Sequence, residues 1–185
     1  MRLIQNNIAK IVLILFISNT IACLSFFEAK QETNDLLPGE TELYTWKLVK
    51  SITVTNNDAI GNISPDYYKY YNVMEIVKGD YQSINNSSFF LTVTIARTVT
   101  VDDAYGLFTR ERIYVEKPFY KNDYSIYWKN KSIAFKGNIF LKVETNDLDF
   151  IQTQKSIIET ILQKIQNAHA IPDYVVRISK YCDID

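Results

Sequence analysis

Strict alternation marks one strand clearly. In FFLTVTIA, residues 89–96, Leu91, Val93 and Ile95 fall on one face and Thr92 and Thr94 on the other. That is the period of a half-buried strand in an antiparallel sheet. LYTWKLVKSITVT, residues 43–55, is rich in β-branched and aromatic side chains and is bounded by Asn56, Asn57 and Asp58, so it reads as a second strand. YSIYW (124–128), SIAF (132–135) and NIFLKVE (138–144) are three shorter candidates. Asn130-Lys131 and Lys136-Gly137-Asn138 supply turns between them, which predicts a meander.

A period near 3.6 predicts three helices. Over residues 147–168, Ile151, Ile158, Ile161, Leu162 and Ile165 share one face, and Pro172 prevents continuation. Over residues 65–77, Ser64 reads as the N-cap, Pro65 as the first helical residue and Asp66 as a partner for the helix dipole. Tyr67, Tyr70, Tyr71 and Met74 then form an apolar-aromatic stripe suited to core contacts, and Gly79 reads as the stop.

The third helix, residues 101–110, lies in TVDDAYGLFTRER. Thr100 and Asp103 have capping-box spacing, and Ala104, Leu107 and Phe108 make one apolar face. Asp102 and Asp103 near the start and Arg110 and Arg112 near the end suit the dipole. Gly106 does not fit, because a glycine inside a helix costs about 1 kcal/mol against alanine. It is expected to mark a packing contact too close for a side chain. A second reading gives Arg110 and Arg112 to an anion or a peptide, and they are the candidate ligand-binding residues. Each apolar stripe needs a cover, so the expected fold is α+β: one domain, an antiparallel sheet of about five strands covered mainly on one face by helices. YVVRISKYCDID, at the C-terminus, is a further edge-strand candidate.

The N-terminus changes the picture from a globular domain to an exported one. Arg2 and Lys10 flank a region without acids, IVLILFI follows over residues 11–17, and Ala22 precedes Cys23. Cation, apolar run and small residue in that order make a secretory signal, and the cysteine makes it of lipoprotein type. Residues 1–22 are expected to be the signal peptide, Cys23 the lipidated residue and 23–35 a tether. LLPG at residues 36–39 then opens a domain running to residue 185. Thr20 departs from the usual leucine of such a signal, and two other readings stand beside it. One is an uncleaved anchor over residues 8–27, interrupted by Lys10 and Asn19; the other is plain secretion. All three place the domain outside the cytoplasm, with the lipid-anchored form held at the cell envelope.

With 20 cations against 21 acids in 185 residues, the charge offers no reason to expect nucleic acid. Cys182 is read as a bystander, or as a disulfide partner of Cys23 if that residue carries no lipid. His169 is the only histidine, which excludes multi-histidine metal sites. No phosphate loop, dinucleotide turn, HExxH or CxxC spacing occurs, and DDAYG lacks the alternating ligands of a calcium loop. No catalytic residue, metal or cofactor is therefore assigned. Asn62, Asn85, Asn86 and Asn130 stand in glycosylation sequons, which matter only in a eukaryotic secretory pathway.

DDAYGLFTRER resembles the signature DAFGIFSRER of an uncharacterised bacterial family, a domain of unknown function found mostly in exported proteins. LLPG with Trp46, YYNVMEI with Asn72 and Glu75, and SIAFKGNIFLKV are similar to further pieces of that family in the same order. The glycine expected near Asn72 and the tryptophan expected near Phe135 are missing. The resemblance spans residues 36–167 and implies architecture and export, with no chemistry attached. The expected function is a lipid-anchored envelope protein, most simply a non-catalytic module for a protein or small-ligand partner. The alternative is an exported hydrolase using two carboxylates.

Overall fold

A single antiparallel sheet organises the chain. The computed structural model describes residues 32–55, 57–113, 120–121, 124–146 and 150–166. The expected signal peptide, Cys23, most of the expected tether, His169, Pro172, Cys182 and the C-terminal strand candidate lie outside those residues. In chain order the elements are β1 (Trp46–Val54), α1 (Asn57–Ile63), β2 (Val73–Ser83), β3 (Phe90–Thr98), α2 (Val101–Ile113), β4 (Tyr120–Lys121), β5 (Ser125–Tyr127), β6 (Lys131–Lys136), β7 (Ile139–Thr145) and α3 (Ile151–Lys164). Short 3-10 helices precede β1 (Thr33–Leu36) and β2 (Asp66–Tyr71). The sheet order is β1-β2-β3-β7-β6-β5-β4, with every neighbour antiparallel. Five strands are long; β4 and β5 bring the total to seven. The chain leaves β3, crosses the sheet as α2, and returns from the far edge as the expected meander. Among the described residues no helix is long and apolar enough to cross a membrane.

Both faces are covered. Leu91, Val93 and Ile95 of β3 share a core with Val77, Leu141, Val143 and with Ile157, Ile158 and Ile161 of α3. The opposite face carries α2, α1 and the second 3-10 helix, where Ala104, Leu107 and Phe108 meet Ile76, Ala96, Phe135 and Phe140. Most helices thus share one face, while α3 closes the other. Double coverage explains why residues 132–135 of β6 and 139–141 of β7 are continuously buried runs. It also buries Thr94, which alternation alone places at a solvated surface.

The helix expected over residues 65–77 does not form. A 3-10 helix ends at Tyr71, Asn72 turns left-handed at φ 43°, and Val73 starts β2. Ser64 caps nothing forward; its hydroxyl donates back to the Ile60 carbonyl of α1. The tyrosine stripe is dispersed accordingly: Tyr67 and Tyr71 are half-buried against the core, Tyr70 is 73% exposed and Met74 belongs to a strand. Gly79 lies inside β2, where an added Cβ would come within 3.2 Å of Tyr81, Leu37 and Leu48 side chains. It marks a close approach instead of a helix stop. The domain also begins earlier than Leu36: Thr33 is buried, accepts from Arg97 Nε at 2.8 Å and donates to Glu75. Helix α3 ends at Lys164, where Ile165 is already extended and Lys136 Nζ donates to the Leu162 and Ile165 carbonyls.

Candidate functional site

Register turns the α2 face of the sheet into rows. Ile76, Ala96, Phe140 and Phe135 are cross-strand neighbours and form an apolar row beneath α2. The next row reads Lys78, Thr94, Lys142 and Ile133, and the one after it Asp80, Thr92, Glu144 and Lys131. Apolar packing therefore gives way to a polar floor within about one side-chain spacing of 7 Å along the strands.

Glu111 enters this floor from above. It lies four residues after Leu107 and seven after Ala104, so the helical period carries it onto the apolar stripe of α2. The side chain is 7% exposed, and Glu111 is the only charged residue that is fully buried among those described. Lys131 Nζ stands 2.6 Å from Oε2, Lys142 Nζ 3.7 Å from Oε1, and the Tyr67 hydroxyl donates to Oε1 at 2.5 Å. Lys142 also reaches Glu144 at 3.1 Å. Burial alone would raise the Glu111 pKa; Lys142, Lys131 and Tyr67 outweigh it and hold the carboxyl below its ordinary value. Tyr67 shifts upward through burial and the adjacent Glu111 carboxylate. Lys78 shifts downward through burial and the neighbouring Lys142, and its ammonium donates to the Ile63 carbonyl at the end of α1. The result is a charge anchor: a carboxylate kept ionised by two cations and a phenol.

The two arginines singled out in the sequence part company here. Arg110 sits with its guanidinium 5.5 Å from the Tyr67 ring centroid, at the rim of the polar floor. Arg112 is exposed and is not brought to it. Replacing Arg110 with alanine is expected to cost less than about 1 kcal/mol, the range of a partly exposed cation–π contact. The Arg112→Ala change should leave the unfolding midpoint in urea where it was. Larger losses in either variant would mean that these side chains hold the fold.

The residue between them, Glu111, escaped sequence reading although one signal was there: an acid at i+4 and i+7 on an otherwise apolar stripe. Tyr67, Lys131 and Lys142 carried no such signal, since only the strand register and the 3-10 helix bring them together. Two of the positions that carry the resemblance serve the fold instead. Asn72 Nδ2 donates to Asp103 Oδ1 at 3.0 Å, and Glu75 pairs with Arg97 at 3.4 Å. Among the described residues no cluster of three or more histidine, cysteine, aspartate or glutamate side chains is placed to hold a metal ion. No protein-family model matches this chain, and neither a curated protein nor a solved structure was found to match it.

Proposed function

We propose that this chain is an exported protein anchored to the bacterial cell envelope by lipid at Cys23, and that its α+β domain is a non-catalytic binding or interaction module. The observation that carries the second half is the state of Glu111. A carboxylate acting as general acid needs a raised pKa, whereas Glu111 is held ionised and its oxygens are already engaged by Lys131, Lys142 and Tyr67. Glu144, a second carboxylate on the floor, is half exposed and paired with Lys142. The pair therefore favours a fixed electrostatic scaffold over the hydrolase alternative. The first half rests on the order Arg2, Lys10, apolar run, Ala22, Cys23. Metabolic labelling with a fatty-acid analogue tests it. The full chain should incorporate label and fractionate with membranes, and Cys23→Ser should do neither. Label retained by Cys23→Ser, or absent from the wild type, removes the anchor.

A further inference from the structure

Apart from Val49 on the edge strand β1, the large apolar side chains left exposed among the described residues gather at the two ends of the sheet. At one end the Val99 N–H donates to the Asn72 carbonyl at 3.1 Å. Tyr70, Met74 and Val99 all stand within two residues of that bond and are 73%, 38% and 56% exposed. Met74 is the bulged residue of β2, between the pairs Val73–Thr98 and Glu75–Arg97, so it opposes no residue of β3. At the other end Ile84 donates its N–H to the Thr45 carbonyl, beside Tyr44, and Phe90 pairs with Gln82. The chain enters the domain at the first end. Thr33 accepts from Arg97 Nε at 2.8 Å and donates to Glu75, the residues two before Val99 and one after Met74. Glu32, exposed, is therefore the point from which the tether leaves, next to Tyr70, Met74 and Val99.

We infer that the Tyr70–Met74–Val99 end of the sheet rests on the lipid surface that holds Cys23, so that the domain stands with its Tyr44–Ile84–Phe90 end turned away. The inference rests on the lipid anchor proposed above. Chain length decides which end meets the membrane. The nine residue steps from Cys23 to Glu32 span about 32 Å when fully stretched, and on the order of 20 Å when flexible. The nine steps from Glu75 to Ile84 carry the sheet roughly 30 Å away. The far end could touch the same surface only with the tether drawn out along almost the whole sheet, at a cost in chain entropy. The near end needs no extension. Its side chains also suit the interface. A tyrosine offers an apolar ring and a polar tip, the combination found at membrane–water boundaries. Lys69, with its ammonium 5.2 Å from the Tyr70 ring centroid, has a stem long enough to keep that charge among headgroups. Exposed Asp66 and Asp102 lie within four residues of Tyr70 and Val99, while Glu75 and Asp103 are engaged by Arg97 and Asn72. This end therefore carries no positive excess, and the contact is apolar and interfacial, not a reading of anionic lipid. Three side chains hold weakly alone; the tether supplies the local concentration that makes them sufficient.

Tryptophan fluorescence of the full chain, purified from membranes and reconstituted into phosphatidylcholine vesicles with and without brominated acyl chains, tests it. Trp46 and Trp128 are buried and supply a constant background. The Tyr70→Trp protein should emit at shorter wavelength on vesicles than in detergent-free buffer, and should lose a large part of the added emission to bromine. Val99→Trp should behave alike and carries the decision if Tyr70→Trp folds poorly. Tyr44→Trp, at the opposite end, should be neither shifted nor quenched. Flotation of the vesicles separates the two readings. A full chain that does not float with them ends the lipid anchor, and this inference with it. A chain that floats while Tyr44→Trp is quenched as strongly as Tyr70→Trp, or while no variant is quenched, overturns the orientation and leaves the anchor standing. Quenching of Tyr70→Trp that requires anionic lipid and disappears at raised salt overturns the apolar contact, because electrostatic attraction is then what holds this end down.

Discussion

Gly106→Leu is expected to destabilise the protein by more than about 2 kcal/mol, through overpacking. Even the first carbon of a side chain there has no room: an ideal Cβ on Gly106 would stand 2.6 Å from Tyr71 Cε1 and 2.7 Å from Cδ1. The backbone that carries the Tyr71 ring is poorly placed to retreat. Its neighbour Asn72 is left-handed, donates to Asp103 one turn before Gly106, and accepts the Val99 N–H at 3.1 Å. Helix α2 is equally fixed, by the reciprocal cap in which the Asp103 N–H donates to Thr100 Oγ1 and the Thr100 N–H donates to Asp103 Oδ2. Gly106→Ala separates the two terms. Alanine at an open helical site gains about 1 kcal/mol over glycine; here that gain should be lost or reversed. In a Tyr71→Ala background it should return, and urea unfolding of the four proteins measures the coupling. If Gly106→Ala is stabilising by the full open-site amount in the wild type, the contact does not restrict the glycine and the account is wrong.

What could be read from the sequence was local. The alternation of β3, the caps of α2 and the turn at Lys136-Gly137-Asn138 are decided by residues within a few positions of one another. Gly137 has φ 56°, the left-handed backbone such a turn requires. The 65–77 segment shows the opposite case. Tyr67, Tyr70, Tyr71 and Met74 keep a helical spacing, yet Val73 to Val77 is claimed by β1 and β3, which pair with β2 on both sides. Those hydrogen bonds come from residues far away in the chain, and the left-handed Asn72 lets the backbone switch. Helix α1 is not legible because NDAIGNI is short, holds a glycine and opens on Asn57 and Asp58, which read as a turn. The polar floor needs the register of four strands before its residues become neighbours, so no spacing in the sequence announces it.

Glu111→Ala should be among the most damaging single changes in the domain, costing about 3 kcal/mol at neutral pH, because removing one partner of a buried ionic cluster leaves the others uncompensated. Lys131 and Lys142 are only 17% and 11% exposed, so neither ammonium regains full hydration when the carboxylate goes. Tyr67 loses its acceptor as well. Glu111→Gln keeps the volume and one acceptor oxygen, so it should cost less than alanine while still removing the charge. Acidification provides the same test without mutation. The folded pKa of Glu111 lies below the ordinary value of 4.5, so the unfolded state binds its proton more readily. Its contribution is fully present above that ordinary value and is lost as pH falls through the lower folded one. Stability of the wild type should therefore decline below about pH 4.5, and Glu111→Gln should show a shallower decline over the same interval. Urea unfolding from neutral pH down to pH 3 reads both curves. Parallel acid limbs would remove Glu111 as the titrating anchor, and a Glu111→Ala protein as stable as the wild type at neutral pH would show that this carboxylate is kept for a purpose other than holding α2 to the sheet.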